Sequence, residues 1–482
     1  MKSILNIICI LMLHGILFGG TTGKLSGTLI DKETGEPLIG CNIIIEDTYL
    51  GTSSNEKGEY ALLNIPPNTY SIRFEMIGYK KLVNEGVTII SDKTTSLNGE
   101  LVSSVIAGEE VVVVAEKKLI QFDVTQSEAI ISSEELEGMP VTEVSEVLRL
   151  QGGVTVDSDG GIHMRGGRTS EVSYMVDGVP MSDLYDGGIG VQIENDNIQE
   201  LQVISGTFNA EYGRALTGVV NMVTKDGGNQ FEGSLHTYAG DYQSSDKIYN
   251  NLNNLDLEDD YSVSASLSGP ILKDKVTFYS SGRVNQSKGW LNGLQTFTIY
   301  GDTIFKDQNN NRYLDGNEEQ KDPYYKGLNW HSSWSTQNKV TFNLLKGTTF
   351  KINTILNSRE SQDYNFALQL LEDAQITNFN RGRFLGLSIS HTLSPTSFLQ
   401  VNVSENKYNY ESYLFEDPLD NRYITPDSLF LARLENRIPD HIIEQYGDQV
   451  QYFPAYSLYR AGVDNRRFER ETKTNNYKLD FT

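Results

Sequence analysis

The sequence predicts a mostly β chain in three parts: an N-terminal β-sandwich, a small α+β domain, and a run of antiparallel strands of the barrel type. Three observations predict it. Residues 24–101 break into short alternating runs separated by turn clusters such as Thr34-Gly35-Glu36-Pro37 and Pro66-Pro67-Asn68. From residue 116 to about 230, glycine pairs become frequent: Gly160-Gly161, Gly166-Gly167 and Gly187-Gly188. From 231 to 482, alternating runs of about ten residues are joined in turn by tight turns and long polar loops.

Composition narrows the class. The 482 residues carry 64 acidic and 40 basic side chains, a formal charge of −24. That balance argues against a nucleic-acid groove, which needs clustered Lys and Arg, and gives no affinity for an anionic bilayer face. A hydrophobic content of 38% with 10% aromatics is too rich for a disordered chain. Beyond the N-terminus no apolar run is long enough for a spanning helix. Residues 1–22 read as a secretory signal peptide: one Lys, an apolar run from Ile4 to Phe18, then small residues. Cys9 falls inside it, so the mature chain keeps only Cys41 and forms no internal disulfide; Cys41 reads as a core residue.

In residues 23–103, Leu25, Gly27 and Leu29 share one strand face, as do Tyr70, Ile72, Phe74 and Met76. About seven strands in so short a span suggest a sandwich. The stretch from Gly27 to Lys81 resembles the carboxypeptidase-regulatory-like domain, a carbohydrate-binding-like sandwich. The matching parts are Asp31 to Leu38, Gly51-Thr52, Gly58-Glu59-Tyr60, Tyr70 and Ile77-Gly78-Tyr79. The alternative is a plain spacer that binds nothing.

Residues 119–230 hold Glu134-Glu135-Leu136 ahead of Pro140, then Val144, Val147 and Leu148 at helical spacing, closed by Gly152-Gly153. Short strands, Val172 to Val176 and Gly218 to Thr224, lie between the glycine pairs. This region resembles the plug domain of TonB-dependent outer-membrane receptors. The resemblance rests on Leu148 with Gly153-Val154, Ile162 to Gly167, Val176-Asp177-Gly178-Val179-Pro180, Gly206, Ala210 to Arg214, and Gly218 to Lys225. It implies that Arg165 and Arg214 pair with acids on an inner barrel wall, as latches rather than as chemistry.

Residues 231–482 suggest eight strands, beginning near Gly233, Tyr261, Lys275, Thr336, Thr348, Gly382, Ser397 and Asn475. Leu399, Val401 and Val403 face one way, with Gln400, Asn402 and Ser404 opposite. Short turns on one side and long loops on the other fit an outer-membrane β-barrel, although a soluble sheet could use the same pattern; the signal peptide and the plug-like region favour the barrel. An eight-stranded barrel is filled by its own side chains, whereas plugged lumens belong to barrels of about 22 strands. The expectation is therefore an incomplete barrel, the N-terminal part of a longer receptor. Its open edge would be prohibitive in lipid if it stood alone.

Residues 104–118 link the first two parts. Glu110, Val111, Val112, Val113, Val114 and Ala115 form a β-branched run with acidic flanks. In receptors that carry the same N-terminal domain, a similar run is the TonB box, an extended peptide that adds to a partner's sheet. The alternative is that the run is the last strand of the sandwich or the first of the plug. Further on, Asp307, Asn309, Asn311, Tyr313 (through its carbonyl), Asp315 and Glu318 fall at calcium-loop spacing, with Arg312 where Gly normally turns the chain. Calcium is the candidate structural ion there, and no other cofactor is expected.

No HExxH, GxSxG or P-loop occurs, and the six His are scattered, so an enzyme is disfavoured. The resemblance implies an outer-membrane importer of a large or scarce solute: an oligosaccharide, a peptide or a metal chelate. Its partners would be TonB, outer-membrane lipid, the extracellular solute and a surface lipoprotein, with sandwich and box in the periplasm. The rivals are a surface adhesion or structural protein on the same scaffold, and the accessory domains of a secreted enzyme.

Overall fold

The computed structural model describes residues 22–104, 110–114, 127–139, 141, 143–157, 160–206, 215–246, 249, 251–252, 255–297, 299, 305–306, 312–313, 325–371, 373–394, 397–420, 423 and 463–481. Apart from Thr22, the signal peptide lies outside them.

The N-terminal sandwich has two sheets. In one, Gly23–Asp31 lies between Glu59–Ile65 and Thr94–Ser96, and Gly99–Leu101 also pairs with it. In the other the order is Gly51–Ser53, Asn42–Ile45, Asn68–Glu75, Lys81–Ile89 and Glu110–Val114. Alternation sends Leu25, Leu29, Ile43, Ile45, Ile72, Phe74 and Ile89 into a common core. Cys41 is fully buried there, and burial pushes its thiol up to about 11, so it is chemically quiet. The eight strands up to Leu101 exceed the expected seven, because two short edge strands, Thr94–Ser96 and Gly99–Leu101, carry little hydrophobic signal.

The central domain is a five-stranded sheet in the order Ser127–Ser132, Ile198–Ser205, Gly218–Thr224, Val172–Val176, Val179–Pro180. Where the spacing suggests one short helix, there are two: Ser133–Glu137 and Val144–Arg149. Ser132 and Glu135 form a capping box that starts the first separately. Every residue of Gly218–Thr224 is buried, because the sheet is covered on both sides.

The third region is an eight-stranded antiparallel wall: Glu232–Gly240, Asp260–Leu272, Val276–Ser287, His331–Leu345, Thr348–Ser361, Thr377–Ser394, Ser397–Tyr413 and Phe468–Phe481. Each strand pairs with the next, and among the described residues the first and last do not meet, so the sheet is open. Eight strands were expected and eight form; the tight turns fall at Leu272–Val276, Leu345–Thr348 and Ser394–Ser397. The period of two sorts the wall into faces. Leu385, Leu387 and Ile389 point outward and exposed, beside Leu399, Val401 and Val403 and then Leu479 and Phe481. Gln337, Lys339, Thr341, Asn353, Gln400 and Asn402 point inward and are buried against the central domain. That polar inner face is what positions the site.

Candidate functional site

The central domain meets the wall through polar groups. Its closest anchor begins at a two-residue hairpin, Asp177-Gly178, between Val172–Val176 and Val179–Pro180. Both turn residues have positive φ, 47° and 72°, as the tight turn between twisted strands demands. Asp177 Oδ1 accepts from Thr224 N at 2.9 Å and Oδ2 from Thr224 Oγ1 at 2.8 Å. From the wall, Asn353 Nδ2 donates to the same Oδ2 at 2.9 Å, and Lys339 Nζ lies 3.2 Å from it.

The Lys339 side chain is only 3% exposed. It also reaches Asp226 Oδ1 at 3.1 Å and donates to Thr224 O at 3.0 Å. Lys351 Nζ donates to Asp226 Oδ2 at 2.6 Å. Burial alone would raise the Asp226 pKa, but the charges of Lys339 and Lys351 win and hold it well below the usual carboxylate range. Beside this cluster Gly227 crosses the wall so closely that a Cβ would sit 2.1 Å from Phe278 O.

Three further cations of the wall follow the same polarity. Glu194 of the central domain accepts from Arg283 Nη1 at 2.8 Å and from Ser335 Oγ at 2.8 Å. Asp183 and Asp186 accept from Arg470 Nη2 at 2.6 and 3.1 Å, and the Tyr185 ring lies 4.4 Å from that guanidinium. Arg359 lies 3.4 Å from Glu143. Neutral contacts fill in: Tyr279 OH to Asn197 Oδ1 at 3.0 Å, Asn357 Nδ2 to Gln192 O at 3.0 Å, and Asn406 Nδ2 to Pro180 O at 2.9 Å. Among the described residues of the wall, only Ile355 and Phe384 join the central hydrophobic cluster.

Chemically, this is an interface that water can replace. Each hydrogen bond contributes about 0.5–1.5 kcal/mol net, because the separated groups are rehydrated. An apolar seam would lack that exchange.

The sequence-expected residues are placed as follows. Arg165 has left-handed φ (48°), is exposed, and lays its guanidinium on Gly206, where a Cβ would sit 2.7 Å from Nη1. Among the described residues no acid of the wall pairs with it; the ion pairs that join domain and wall run the other way, acid inside and cation on the wall. Arg214 lies outside the described residues. Glu110–Val114 is a strand, paired in parallel with Lys81–Glu85 as the edge of the sandwich, and Val111, Val112 and Val113 are exposed. The side chains of Glu110 and Val114, and all of Ala115, lie outside the described residues. Of the calcium-loop residues only the backbone of Tyr313 is described, paired with Phe305. Asp307, Asn309, Asn311, Asp315 and Glu318 lie outside. Among the described residues no trio of His, Cys, Asp or Glu is set to hold a metal.

Sequence reasoning missed Asp226, Glu194, Lys339, Lys351 and Arg470. Asp177-Gly178 was quoted within a motif, and its hairpin signal could have flagged the Asp. The wall lysines gave no such signal, since inward and solvent-facing polar residues alternate alike.

Residues 121–220 match the family model described as TonB-dependent Receptor Plug Domain, and 25–113 that of the CarboxypepD_reg-like domain. The chain carries a TonB-dependent receptor plug. It is similar to the TonB-dependent transporter Oar of Myxococcus xanthus, 25% identical over 295 residues, covering 55% of this chain and 27% of Oar. It is also similar to the TonB-dependent receptor P39 of Formosa agariphila, 29% identical over 242 residues, covering 48% and 22%. The chain thus spans about a quarter of the length of the curated relatives it matches. Among solved structures, the outer-membrane transporter YddB of Escherichia coli aligns with a TM-score of 0.43 at 14% identity, covering 59% of this chain and 39% of YddB. The ion pairs described above therefore join the plug to the wall.

The sandwich, meanwhile, sits at the tight-turn end of the wall. Asn64 Nδ2 donates to Thr392 Oγ1 at 2.9 Å, Tyr49 OH lies 3.4 Å from Thr349 Oγ1, and Asn229 Nδ2 donates to Asp47 O at 3.1 Å. A cavity of about 610 Å³ lies between sandwich, plug and wall.

Proposed function

We propose that this chain works in an outer-membrane receptor that imports a solute too large or scarce for diffusion, by energised movement of the plug along the wall. One observation carries the reading: among the described residues the plug–wall interface is polar nearly throughout, with Ile355 and Phe384 the wall's two contributions to the plug core. A part that must slide and return needs contacts that water can take over.

Short turns on one side and long loops on the other support an orientation with the tight turns toward the periplasm. The sandwich contacts that end, so sandwich and residues 110–115 would face the periplasm as well. TonB would engage Glu110 to Ala115. An oligosaccharide, a peptide or a metal chelate fits the reading equally. Removing residues 110–115 tests it: cargo should still bind at the cell surface while accumulation inside stops. Undiminished accumulation would rule the reading out.

A further inference from the structure

One face of the plug sheet buries a polar row. Glu200 and Gln202 stand two apart on Ile198–Ser205 and so share a face, and the strand register sets Asn221 of Gly218–Thr224 beside Gln202. The three are 4, 1 and 2% exposed. On the opposite face of the same two strands, Leu201, Val203, Val220 and Met222 belong to the plug core. Burying such groups is costly unless each is hydrogen-bonded. Among the described residues, no buried N or O of these three side chains lacks a partner.

The bonds form a line from the sandwich to the plug–wall anchor. The sandwich turn that follows Lys81–Ile89 presents Ser91, fully buried. Its N–H donates to Glu200 Oε1 at 3.4 Å, and its carbonyl accepts from Gln202 Nε2 at 3.4 Å. Gln202 Nε2 also donates to Glu200 Oε1 at 2.6 Å, and Asn221 Nδ2 donates to Gln202 Oε1 at 2.9 Å. At the far end Gly178 N donates to Asn221 Oδ1 at 3.4 Å. Gly178 is the second residue of the hairpin whose first, Asp177, is held by Lys339 and Asn353 of the wall. An ion pair also seats the sandwich turn: Lys93 Nζ lies 2.8 Å from Glu128 of the plug.

Resting on the function proposed above, we infer that Glu200, Gln202 and Asn221 couple the seating of the sandwich to the hold of the plug on the wall, with Gln202 and Asn221 as positioning residues for the Asp177-Gly178 hairpin. With the sandwich seated, Ser91 fixes the Glu200 carboxyl and the Gln202 amide. Gln202 then orients the Asn221 amide, whose oxygen holds Gly178 N and keeps Asp177 facing Lys339. With the sandwich lifted, Glu200 and Gln202 each lose a buried partner, and the row can rearrange. The anchor loosens from inside the plug, before any force reaches the wall contacts themselves. Coupling of this kind is reciprocal, so breaking the anchor also loosens the seat.

The test is hydrogen exchange of the full chain in detergent, read amide by amide. Lys93→Glu sets two acids against each other at the seat and touches neither the row nor the anchor. It should quicken exchange at Gly178 by about threefold or more. Adding Glu128→Lys restores the pair in reverse and should return Gly178 to its starting rate. With Gln202→Met in place, Lys93→Glu should no longer change Gly178. In the reciprocal arm Lys339→Met should quicken Ser91 by about threefold or more. Gly178 unmoved by Lys93→Glu, or moved equally with and without Gln202, would overturn the inference. Should Gln202→Met not fold, the two lysine variants decide alone: a change at only one of the two amides, or at neither, overturns it. Neither cargo nor partner takes part, so these outcomes judge the coupling, while deletion of residues 110–115 judges the import reading.

Discussion

Glu200 is a buried plug carboxylate and Asp226 a half-buried one, and their surroundings treat them oppositely. Asp226 sits between two lysines and stays ionised. Glu200 is 4% exposed, and its contacts are neutral: Gln202 Nε2 donates to it at 2.6 Å and Ser91 N, from the sandwich, at 3.4 Å. Burial pushes its pKa up to about 7. The folded state therefore holds a proton that the unfolded chain releases near pH 4.3. Stability from this proton is complete below about 4.3 and fades as pH rises through about 7, by up to about 3 kcal/mol. The expected outcome is a thermal midpoint in detergent that falls between about pH 5 and pH 8. Glu200→Gln should flatten that fall, and an equally steep fall in the variant would remove Glu200 as its cause. Asp226 gives no slope there, since a depressed carboxylate loses its contribution only as pH drops below its usual range. His163 shows how local such tuning is: its ring nitrogens face Asp157 Oδ2 at 2.9 Å and Gly167 O at 2.8 Å, and Asp157 first, then the carbonyl, raises its pKa. Neither carboxylate's state was legible in the sequence, because burial sets the one and lysines of the wall set the other, and neither shows in local spacing.

At the scale of elements, much more was legible. Period-two alternation marked all eight wall strands, since one face meets the plug and the other faces away. It also marked Leu25, Leu29, Ile72 and Phe74 as sandwich core. Hidden were the three-residue edge strands, and the sequence left open which sheet Glu110–Val114 joins, since a valine run suits any sheet edge. Strand length now adds a boundary. Thr377–Ser394 has 18 residues, whereas a tilted strand crosses the membrane in about 9–11. Outward-facing Leu387, Ile389, Val401, Val403 and Leu479 form an apolar belt. Beyond it the outward positions become charged: Glu405 pairs with Arg383 and Lys473, and Lys407 with Glu471 at 2.9 Å. Lipid should end at the level of Glu405. A cysteine at Lys473 should then react with an impermeant maleimide on whole cells, and one at Leu387 should not. Equal labelling of the two would move the boundary.

For the whole molecule, the question is whether plug and wall part without the rest unfolding. Three bodies touch, but their cores are separate: one cluster in the sandwich, another in the plug that takes in Ile355 and Phe384 of the wall. Lys339 is the cation that two plug acids share. Lys339→Met leaves Asp177 and Asp226 short of a buried partner, a change that typically costs about 3–5 kcal/mol. Amide exchange should quicken at Val176–Val179 and near Thr224, while Glu59–Ile65 of the sandwich keeps its protection. A uniform increase across both would show that they open as one unit.

The polarity of the anchors reaches past stability. Arg283, Lys339, Lys351, Arg359 and Arg470 all project from the wall, and each is neutralised by an acid of the plug. If the plug moves as proposed, its carboxylates go with it, and these five cations of the wall are left facing the gap. Such an arc would ease anions and hinder small cations, a charge filter that would exist only while the way is open.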